Sequence, residues 1–295
     1  MTFESVLFLS NNMVGQSAIN IDLSKKTFFL MGIVNITPDS FSDGGEHYST
    51  EAAVMHAEKL IEQGADILDF GGASSRPGAH LVSPDEEIKR VIGAIEIIAS
   101  RYKIPISIDT TWVEVAKAAL DAGATWVNDI SAGRFDRSMA AFVAKKKCPI
   151  VLMHSRKTPQ DMQQSVHYDN LLSEVKGELL LSVQMFKDAG VDDSQILLDP
   201  GIGFAKTAEQ NISLLHNIED LVKIGYPVVV GTSRKNFIGR ITGKEAKNRV
   251  FGSLGSIASA FLKGAKIFRV HDVDATRDFL SVLSAIENPE TVKLL

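Results

Sequence analysis

Eight short apolar runs recur along the chain from residue 28 onward, and a longer segment with helical spacing follows most of them. The runs are Phe28–Val34, Ile67–Phe70, Ile104–Ile108, Trp126–Val127, Ile150–Met153, Ile196–Leu198, Val228–Val230 and Ile267–Val270. Continuous apolar runs of this kind are typical of parallel strands that are covered on both faces. Because eight strand–helix units close a (β/α)8 barrel, the sequence predicts an α/β fold with a single TIM barrel.

The segments between the runs carry the signals of helices. The predicted helices are Thr50–Gln63, Ser83–Arg101, Thr111–Ala122, Tyr168–Ala189, Ala208–Ile218 and Lys247–Lys263. Ser83 is placed to cap a helix that begins with Pro84 and continues with acidic residues. The competing fold is a doubly wound open sheet, but that fold usually has fewer strands, and no dinucleotide fingerprint follows the first run.

We expect residues 1–295 to form one domain, with residues 1–26 as an N-terminal extension. The alternation of Ile19–Leu23 indicates a short strand or hairpin in that extension. The least certain strand of the barrel is the fourth, because the run Trp126–Val127 is short.

Polar side chains stand where nearly every apolar run ends. They are Asn35, Asp69, Asp109, Asn128, His154, Asp199, the group Thr232–Lys235, Arg269 and His271. Active sites of (β/α)8 barrels form at the C-terminal ends of the strands, so this set predicts a site at that mouth. Asp and Asn are also common helix caps, which explains Asp129 or Asp199 equally well, but capping does not require Lys, Arg or His.

The set suits two kinds of ligand group. Asp109, Asn128 and Asp199 fit the ring N–H and amino groups of a flat, nitrogen-rich heterocycle, and Lys235 can donate to a ring carbonyl or nitrogen. The residues suited to a cluster of anionic oxygens are Ser75, Arg76, Arg269 and His271. Phe41, Met153 and Phe204 offer apolar surfaces, although core packing is the simpler interpretation of each, above all of Met153.

Composition argues against several classes of protein. The chain has a formal net charge of -5, and this mild acidity argues against a nucleic-acid partner, although local basic patches remain possible. No apolar run has membrane-spanning length, and the N-terminus lacks the pattern of a signal peptide, so a cytoplasmic location is expected. The single cysteine, Cys148, is expected to be a buried thiol. No Cys/His cluster has the spacing of a zinc site.

Seven ordered motifs resemble those of the dihydropteroate synthases, the pterin-binding enzymes of folate synthesis. The motifs are Met31–Gly45, Asp69–Gly78, Ser107–Thr110, Val127–Ile130, Leu198–Lys206, Gly231–Lys235 and Arg269–Val273. The resemblance implies a transferase that condenses 6-hydroxymethyl-7,8-dihydropterin pyrophosphate with p-aminobenzoate. Its products would be 7,8-dihydropteroate and pyrophosphate, formed after an SN1-like loss of pyrophosphate.

The resemblance also implies a role for each matching residue. The pterin would contact Asp109, Asn128, Met153, Asp199, Phe204, Lys235 and Arg269. The pyrophosphate would contact Asn35, Ser75, Arg76, Arg269 and His271, with Asn35 as a ligand of Mg²⁺. The p-aminobenzoate would contact Phe41, Ser75, Pro77, Phe204, Lys235 and Asn236. Lys235, Asp109 and Arg269 would be catalytic, and the loops Thr37–Gly45 and Ser74–Gly78 would close over the substrates.

Sulfonamide inhibition and a homodimer are further implications of the resemblance. The apolar residues Leu254, Ile257, Ala258 and Phe261 either supply the dimer face or pack on the barrel, as the residues of every barrel helix must. No nucleic acid and no membrane are expected as partners.

The chain departs from the family pattern in three places, and two alternative functions stay open. Ala73 replaces a usual Glu, Asn236 stands where Ser is frequent, and Ser155–Lys157 replaces an uncharged stretch. One alternative is a methyltetrahydrofolate–corrinoid methyltransferase, which would share the pterin contacts without needing the anion site. The other is a catalytically silent pterin-binding paralogue.

Overall fold

Eight parallel strands form the sheet of the computed structural model, which describes residues 21–37, 46–74, 78–79, 82–164 and 166–291, with the backbone alone at 46–49, 163 and 291. The strands are β1 (Phe29–Asn35), β2 (Ile67–Gly71), β3 (Ile106–Asp109), β4 (Trp126–Asp129), β5 (Ile150–Met153), β6 (Ile196–Asp199), β7 (Val229–Val230) and β8 (Ile267–Val270). They pair in the order β6-β5-β4-β3-β2-β1-β8-β7. A parallel bridge between Leu198 and Val228 joins the two ends, so the sheet curls into a nearly closed barrel. The predicted fold is confirmed.

Helices follow the strands in the described part of the chain. They are α1 (Glu46–Glu62), α2 (Pro84–Arg101), α3 (Val113–Asp121), α4 (Ser138–Lys146), α5 (Leu171–Asp188), α6 (Ala208–His216), α7 (Ile218–Val222), α8 (Asn236–Thr242), α9 (Val250–Phe261) and α10 (Val273–Glu287). All six predicted helices are present with shifted ends, whereas α4, α7, α8 and α10 were not predicted. The predicted cap of α2 is confirmed, because Ser83 Oγ accepts a hydrogen bond from Glu86 N at 3.3 Å.

Side-chain alternation along the strands divides the core into two layers. The inward residues Phe29, Met31, Ile67, Trp126, Val151, Leu197, Val229 and Ile267 fill the barrel. The intervening residues, such as Leu68, Phe70 and Val127, pack against the surrounding helices. This two-residue period is what places every second strand residue inside the barrel.

The N-terminal expectation is wrong where the structure describes it. Ile21–Leu23 form an irregular segment and the start of a turn rather than a strand, while residues 19 and 20 lie outside the described ranges. The turn is held by Asp22, whose Oδ1 accepts from Ser24 N at 3.0 Å, and Ile21 packs into the interior cluster of the barrel. The short fourth strand is present with four residues, and β7 is the shorter strand with two.

The apolar residues singled out on α9 pack on the barrel. Leu254 and Ile257 are buried, and Phe261 contacts the rings of Phe28 and Phe268, with centroids 6.4 Å apart in both pairs. The exposed apolar side chain of this helix is that of Phe251. The packing interpretation is therefore supported for Leu254, Ile257 and Phe261.

Two further sequence expectations concern the cysteine and the helix lengths. Cys148 is buried as expected, and burial raises the pKa of its thiol to about 12. Across the described ranges, the helices are all too short or too polar to traverse a bilayer.

Candidate active site

The period of the strands decides which strand-end residues face into the barrel. Asp69 and Asn128 each lie two positions beyond an inward residue, Ile67 and Trp126, so they also face inward. The other strand-end residues with the same parity are Asn35, Asp109, Met153, Asp199, Arg269 and His271. The C-terminal mouth therefore gathers nearly all the strand-end residues that the sequence marks out.

Two strand-end residues have the opposite parity and serve the loops instead. Asp129 accepts hydrogen bonds from Ser131 N, Ser131 Oγ and Gly133 N, each at 2.7 Å, which shapes the turn after β4. His154 follows the inward Met153 and is fully buried on the outer side of β5. The capping interpretation thus fits Asp129, whereas Asp199 combines both behaviours, since it faces inward and also accepts from Gly201 N at 2.7 Å.

Arg269 lies at the centre of the inward set. Its Nε donates to Asp69 Oδ2 at 2.6 Å and its Nη2 donates to Asp109 Oδ2 at 2.8 Å. Asn128 Nδ2 donates to the same Asp69 oxygen at 3.0 Å. Asp69 Oδ1 is buried without a hydrogen-bond partner. A planar guanidinium with several fixed donors can bridge two carboxylates in this way, and a lysine cannot.

Carboxylates outnumber cations in this part of the mouth, and two of them, Asp109 and Asp199, have raised pKa values mainly because they are buried. Burial raises the pKa of Asp109, Arg269 opposes the shift, and the nearby Asp69 and Glu87 add to it. Burial likewise raises the pKa of Asp199 to about 6. The pocket therefore favours a ligand that brings N–H donors or positive charge to these oxygens.

Lys235 approaches the site from the loop after β7. Its Nζ lies 4.2 Å from the centroid of the Phe204 ring, in a cation–π contact. Gly203, at φ 87°, makes room for it, because a Cβ there would lie 2.9 Å from Lys235 Cδ. Burial and the neighbouring Arg269 lower the pKa of Lys235 to about 8, against the pull of Asp199 and Asp109. The ammonium is thus a proton donor that titrates close to neutrality.

His271 is held as a neutral imidazole. Its Nδ1 lies 3.0 Å from Ser233 Oγ, and its backbone N donates to the same hydroxyl at 3.2 Å. Burial and the charges of Arg234 and Arg269 lower its pKa to about 3. Arg234 pairs with Asp272, its Nε donating to Oδ2 at 3.0 Å. Within the group Thr232–Lys235, Lys235 therefore faces the barrel mouth, while Ser233 and Arg234 hold neighbouring backbone and side chains.

The remaining predicted residues lie at the rim or outside the described ranges. Asn35 ends β1 and is half-buried, and Asn236 is the exposed first residue of α8. Met153 and Phe204 are buried together in one apolar cluster, which Ile130 also contacts. The predicted residues outside the described ranges are Phe41, Ser75, Arg76 and Pro77.

Glu87 of α2 is a site neighbour that sequence reasoning missed. It is 2% exposed, and its Oε1 has no hydrogen-bond partner. It lines a cavity of about 40 Å³ together with Ala73, Asp109 and Thr110. Burial raises its pKa to about 7, although Thr110 and Arg90 oppose the shift. In sequence it resembles an ordinary acidic residue of a first helical turn, and only the helical spacing to the buried Val91 marks it as inward-facing.

The structure shows the surroundings of two of the three departures from the family pattern, Ala73 and the stretch Ser155–Lys157. Ala73 borders the cavity that Glu87 also lines. Arg156 does not face the mouth, because its Nε donates to Glu178 Oε1 at 2.9 Å and its guanidinium lies 3.9 Å from the centroid of the Tyr168 ring. The charged replacement after His154 is therefore part of a structural network between β5 and α5.

Comparisons with known proteins agree with this site. The family described as "pterin binding enzyme" matches residues 31–271. A dihydropteroate synthase of Synechocystis is 47% identical over 92% of this chain and 94% of its own length. The structure of a Xanthomonas albilineans dihydropteroate synthase with 4-aminobenzoic acid is 43% identical, covers 93% of this chain and 96% of its own, and has a TM-score of 0.85. A Yersinia pestis dihydropteroate synthase in a sulfonamide drug complex is 36% identical, covers 93% and 99%, and has a TM-score of 0.86.

A family match over most of the chain and relatives above 40% identity place the protein in a class. The chain belongs to the family of pterin-binding enzymes. Within that family it groups with the dihydropteroate synthases, which are transferases of folate biosynthesis. The methyltransferase alternative finds no support among these relatives.

Proposed function

We propose that this chain condenses 6-hydroxymethyl-7,8-dihydropterin pyrophosphate with p-aminobenzoate to give 7,8-dihydropteroate and pyrophosphate. The observation that supports this most is the inward cluster of Asp69, Asp109, Asn128 and Arg269 at the barrel mouth. It offers the acceptors and donors of a pterin-sized heterocycle where barrel enzymes bind substrates. The 4-aminobenzoic acid bound to the X. albilineans relative supports the second substrate.

The pterin ring would be held by the inward polar residues. Asp109, Asn128 and Asp199 would pair with its ring N–H and amino groups, and Lys235 would donate to its carbonyl or a ring nitrogen. Met153 and Phe204 would contact its faces. Carboxylates exceed cations here and are already in position before the reaction starts. They would therefore stabilise the positive charge that develops on the ring and the methylene.

Departure of pyrophosphate would create that charge. The C–O bond at the pterin methylene breaks, and its electron pair leaves with the pyrophosphate. Arg269 would then contact both the pterin ring and the leaving pyrophosphate, and its permanent positive charge would stabilise the departing anion. The other pyrophosphate contacts proposed are Asn35, Ser75, Arg76 and His271, the last through a neutral imidazole.

Mg²⁺ is compatible with the donors at the rim. The described residues contain no group of three His, Cys, Asp or Glu side chains suited to a metal ion. Mg²⁺ is usually bound by one or two protein oxygens together with substrate phosphates, and Asn35 supplies an amide oxygen at the end of β1. Asn35 would therefore hold the ion against the pyrophosphate, and the bound ion would neutralise the charge of the leaving group.

The amine of p-aminobenzoate completes the reaction. Its lone pair attacks the methylene carbon, a C–N bond forms, and the amine proton is released. Its proposed contacts are Phe41, Ser75, Pro77, Phe204, Lys235 and Asn236. Lys235 and Phe204 are in contact with each other, so they could divide the two substrate pockets.

We further propose that the enzyme acts as a homodimer in the cytoplasm. A surface groove of about 340 Å³ runs between α6, α8 and α9 and is lined by Ile212, Phe237 and Ile241, among others. Phe251 and Ile241 are 75% and 64% exposed beside it. A second copy of the chain would cover these side chains, and Phe251→Asp should shift the protein toward the monomer in sedimentation velocity.

Turnover tests the proposal directly. The purified chain is mixed with dihydropterin pyrophosphate and Mg²⁺, with and without p-aminobenzoate, and both pyrophosphate and dihydropteroate are measured. Formation of both products, with a sulfonamide competing against p-aminobenzoate, is expected. Pterin binding without any pyrophosphate release would instead establish the silent paralogue. Chelation of Mg²⁺ should reduce pyrophosphate release.

A further inference from the structure

A second buried polar cluster lies behind the loop that joins β6 to α6. Lys206 is 3% exposed, and its Nζ donates to Gly201 O at 3.1 Å and to Phe204 O at 2.9 Å. The third neighbour is His154 Nδ1, at 2.9 Å. An ammonium has three N–H groups, so each has one acceptor, and all three acceptors are uncharged.

The contact with Lys206 fixes the protonation of His154. Because an ammonium only donates, Nδ1 accepts, and the ring proton is on Nε2, which lies 3.0 Å from Glu178 Oε2. Burial and the charge of Lys206 lower the pKa of His154 to about 4, so the imidazole is neutral. Glu178 thereby anchors the loop to α5 through His154.

The same helix reaches the loop by a second route. Arg156 binds Glu178 and stacks on Tyr168, whose hydroxyl donates to Ala205 O at 3.0 Å. The carbonyls of Phe204 and Ala205 are therefore both held from α5, one through Lys206 and the other through Tyr168.

The loop needs this support because its backbone is strained. Gly201, Gly203 and Ala205 have φ values of 67°, 87° and 48°. The left-handed region is unfavourable for a residue with a side chain, so Ala205 keeps this conformation only if its surroundings enforce it. The Lys206 and Tyr168 hydrogen bonds lie on either side of that residue.

The loop in turn positions Lys235. It presents the Phe204 ring 4.2 Å from Lys235 Nζ, and it places the bare backbone of Gly203 against the Lys235 side chain. Any relaxation at Ala205 would therefore displace both surfaces that define the position of this ammonium.

We propose that Lys206 is a positioning residue for the condensation: its ammonium, supported by His154 and Glu178, holds the β6–α6 loop and through it the Phe204 ring and Lys235. The inference rests on the proposed function. It assigns Lys206 no contact with substrate. Phe204 and Lys235 would meet both substrates, but the pterin would also keep Asp109, Asn128 and Arg269, none of which lies on this loop. The larger consequence therefore falls on p-aminobenzoate.

The position of Lys206 makes this support sensitive to pH. Burial lowers its pKa to about 7, opposed by Asp199 and Glu178 and assisted by Arg134 and Arg156. The neutral His154 faces it from β5. A deprotonated amine has one donor fewer, so one of the three hydrogen bonds that Lys206 donates is lost as the pH rises through this value.

Steady-state kinetics of Lys206→Met test the inference. We expect kcat/KM for p-aminobenzoate to fall roughly ten-fold or more, because misplaced groups at a reacting centre are costly. The affinity for a pterin ligand, measured by calorimetry without p-aminobenzoate, should change much less. In the wild type, kcat/KM for p-aminobenzoate should decline above about pH 7 as Lys206 loses its proton. In Lys206→Met this decline should be absent, and only the decline caused by deprotonation of Lys235, near pH 8, should remain. A purely structural role would lower the whole profile without changing its shape.

Lys266→Met is the matched control. Lys266 is exposed and donates to a backbone carbonyl, Leu23 O at 3.4 Å, at the opposite end of the barrel. It should leave both kinetic constants unchanged. Where Lys206→Met does not fold, Tyr168→Phe decides, since it removes one loop contact at a half-buried site and should raise KM for p-aminobenzoate about three-fold.

The outcomes separate the two proposals. A wild-type chain that forms no dihydropteroate refutes the proposed function, whatever Lys206 does. An active wild type with unchanged kinetics in Lys206→Met, or an unchanged KM in Tyr168→Phe, overturns the positioning role. Equal losses of pterin and p-aminobenzoate affinity in Lys206→Met would overturn it as well.

Discussion

Two cations at the barrel mouth, the half-buried Arg269 and the buried Lys206, have opposite surroundings. Arg269 faces inward and is paired with the carboxylates of Asp69 and Asp109, at 2.6 and 2.8 Å. Lys206 lies behind a loop and is held by two carbonyls and an imidazole. Burial disfavours both charges, but the carboxylates raise the pKa of Arg269 above its ordinary value, while that of Lys206 falls to about 7.

The difference shows how one mouth serves two needs. A group that must meet a departing anion at every pH has to remain charged, and an arginine between carboxylates does so. A group that only holds backbone carbonyls needs donors in fixed directions, which three neutral acceptors arrange around an ammonium. The carboxylates around Arg269 keep it charged. The neutral acceptors around Lys206 fix the geometry of the loop, but burial lowers the pKa of this lysine.

The largest effect is expected from Asp109→Ala, which removes one of the two carboxylates of Arg269. The change leaves Arg269 Nη2 without its 2.8 Å partner and leaves the ring N–H groups of a pterin without an acceptor. We expect pterin affinity, measured by calorimetry, to fall about a thousand-fold, or about 4 kcal/mol. Asp121→Ala, at an exposed ion pair with Lys146, is the control and should bind normally. Wild-type affinity in Asp109→Ala would show that the pterin lies elsewhere.

A smaller effect is expected from Arg269→Lys, which keeps the charge and loses the planar fork. A lysine can reach Asp69 or Asp109 but cannot donate to both from two nitrogens. We expect kcat/KM for the pterin substrate to fall about a hundred-fold, which corresponds to about 2.7 kcal/mol. If the variant retained full kcat/KM, the pairing of Arg269 with two carboxylates would be irrelevant to the reaction. The proposed functional difference between Arg269 and Lys206 would then be refuted.

The parity of strand residues explains how much of this contrast the sequence could predict. Asp109 and Arg269 lie at the ends of apolar runs in inward positions, so the pattern of the runs is enough to group them. Asp69 also lies in an inward position of a strand, but no sequence pattern predicts its contact with Arg269, because the two residues are 200 positions apart in the chain. Glu87 was missed because an acidic residue near a helix N-terminus is unremarkable in sequence.

The support of Lys206 was harder still to predict. Its partners come from the end of β5, from α5 and from its own loop, and no periodicity links them. The strained φ of Ala205 is equally invisible in sequence, because alanine gives no hint of a left-handed backbone. Patterns therefore predict the inward face of the barrel well and the loop supports poorly.

The next prediction concerns Glu87, a further carboxylate close to Asp109, which pairs with Arg269. Its folded pKa of about 7 lies above the ordinary value of 4.5, so the folded state binds a proton more tightly than the unfolded one. The free energy of unfolding therefore decreases as the pH rises from 4.5 to about 7 and stays reduced above it. Glu87→Gln should be more stable than wild type by about 2 kcal/mol at pH 8 and by little at pH 5.

Denaturant unfolding at the two pH values measures this difference. Glu96→Gln, at an exposed position of the same helix, is the matched control and should change the stability equally little at both pH values. A Glu87→Gln variant that is destabilised at pH 8 would mean that the carboxylate is ionised and paired, which would contradict the excess of carboxylates around Arg269.

The smallest effect concerns Lys235, which is intermediate between the two cations. It is half-buried near Arg269, which repels it, and near Asp199, which attracts it, and its pKa is about 8. Asp199 has a pKa of about 6, so kcat/KM for the pterin substrate should rise as Asp199 ionises and fall as Lys235 loses its proton. Asp199→Asn removes the attraction, so the alkaline limb should move to lower pH, by about one unit. Asp121→Asn, at an exposed ion pair with Lys146, should leave the limb in place. An alkaline limb that stays fixed in Asp199→Asn would assign the titration to another group, and Lys235 would then resemble Arg269 rather than Lys206.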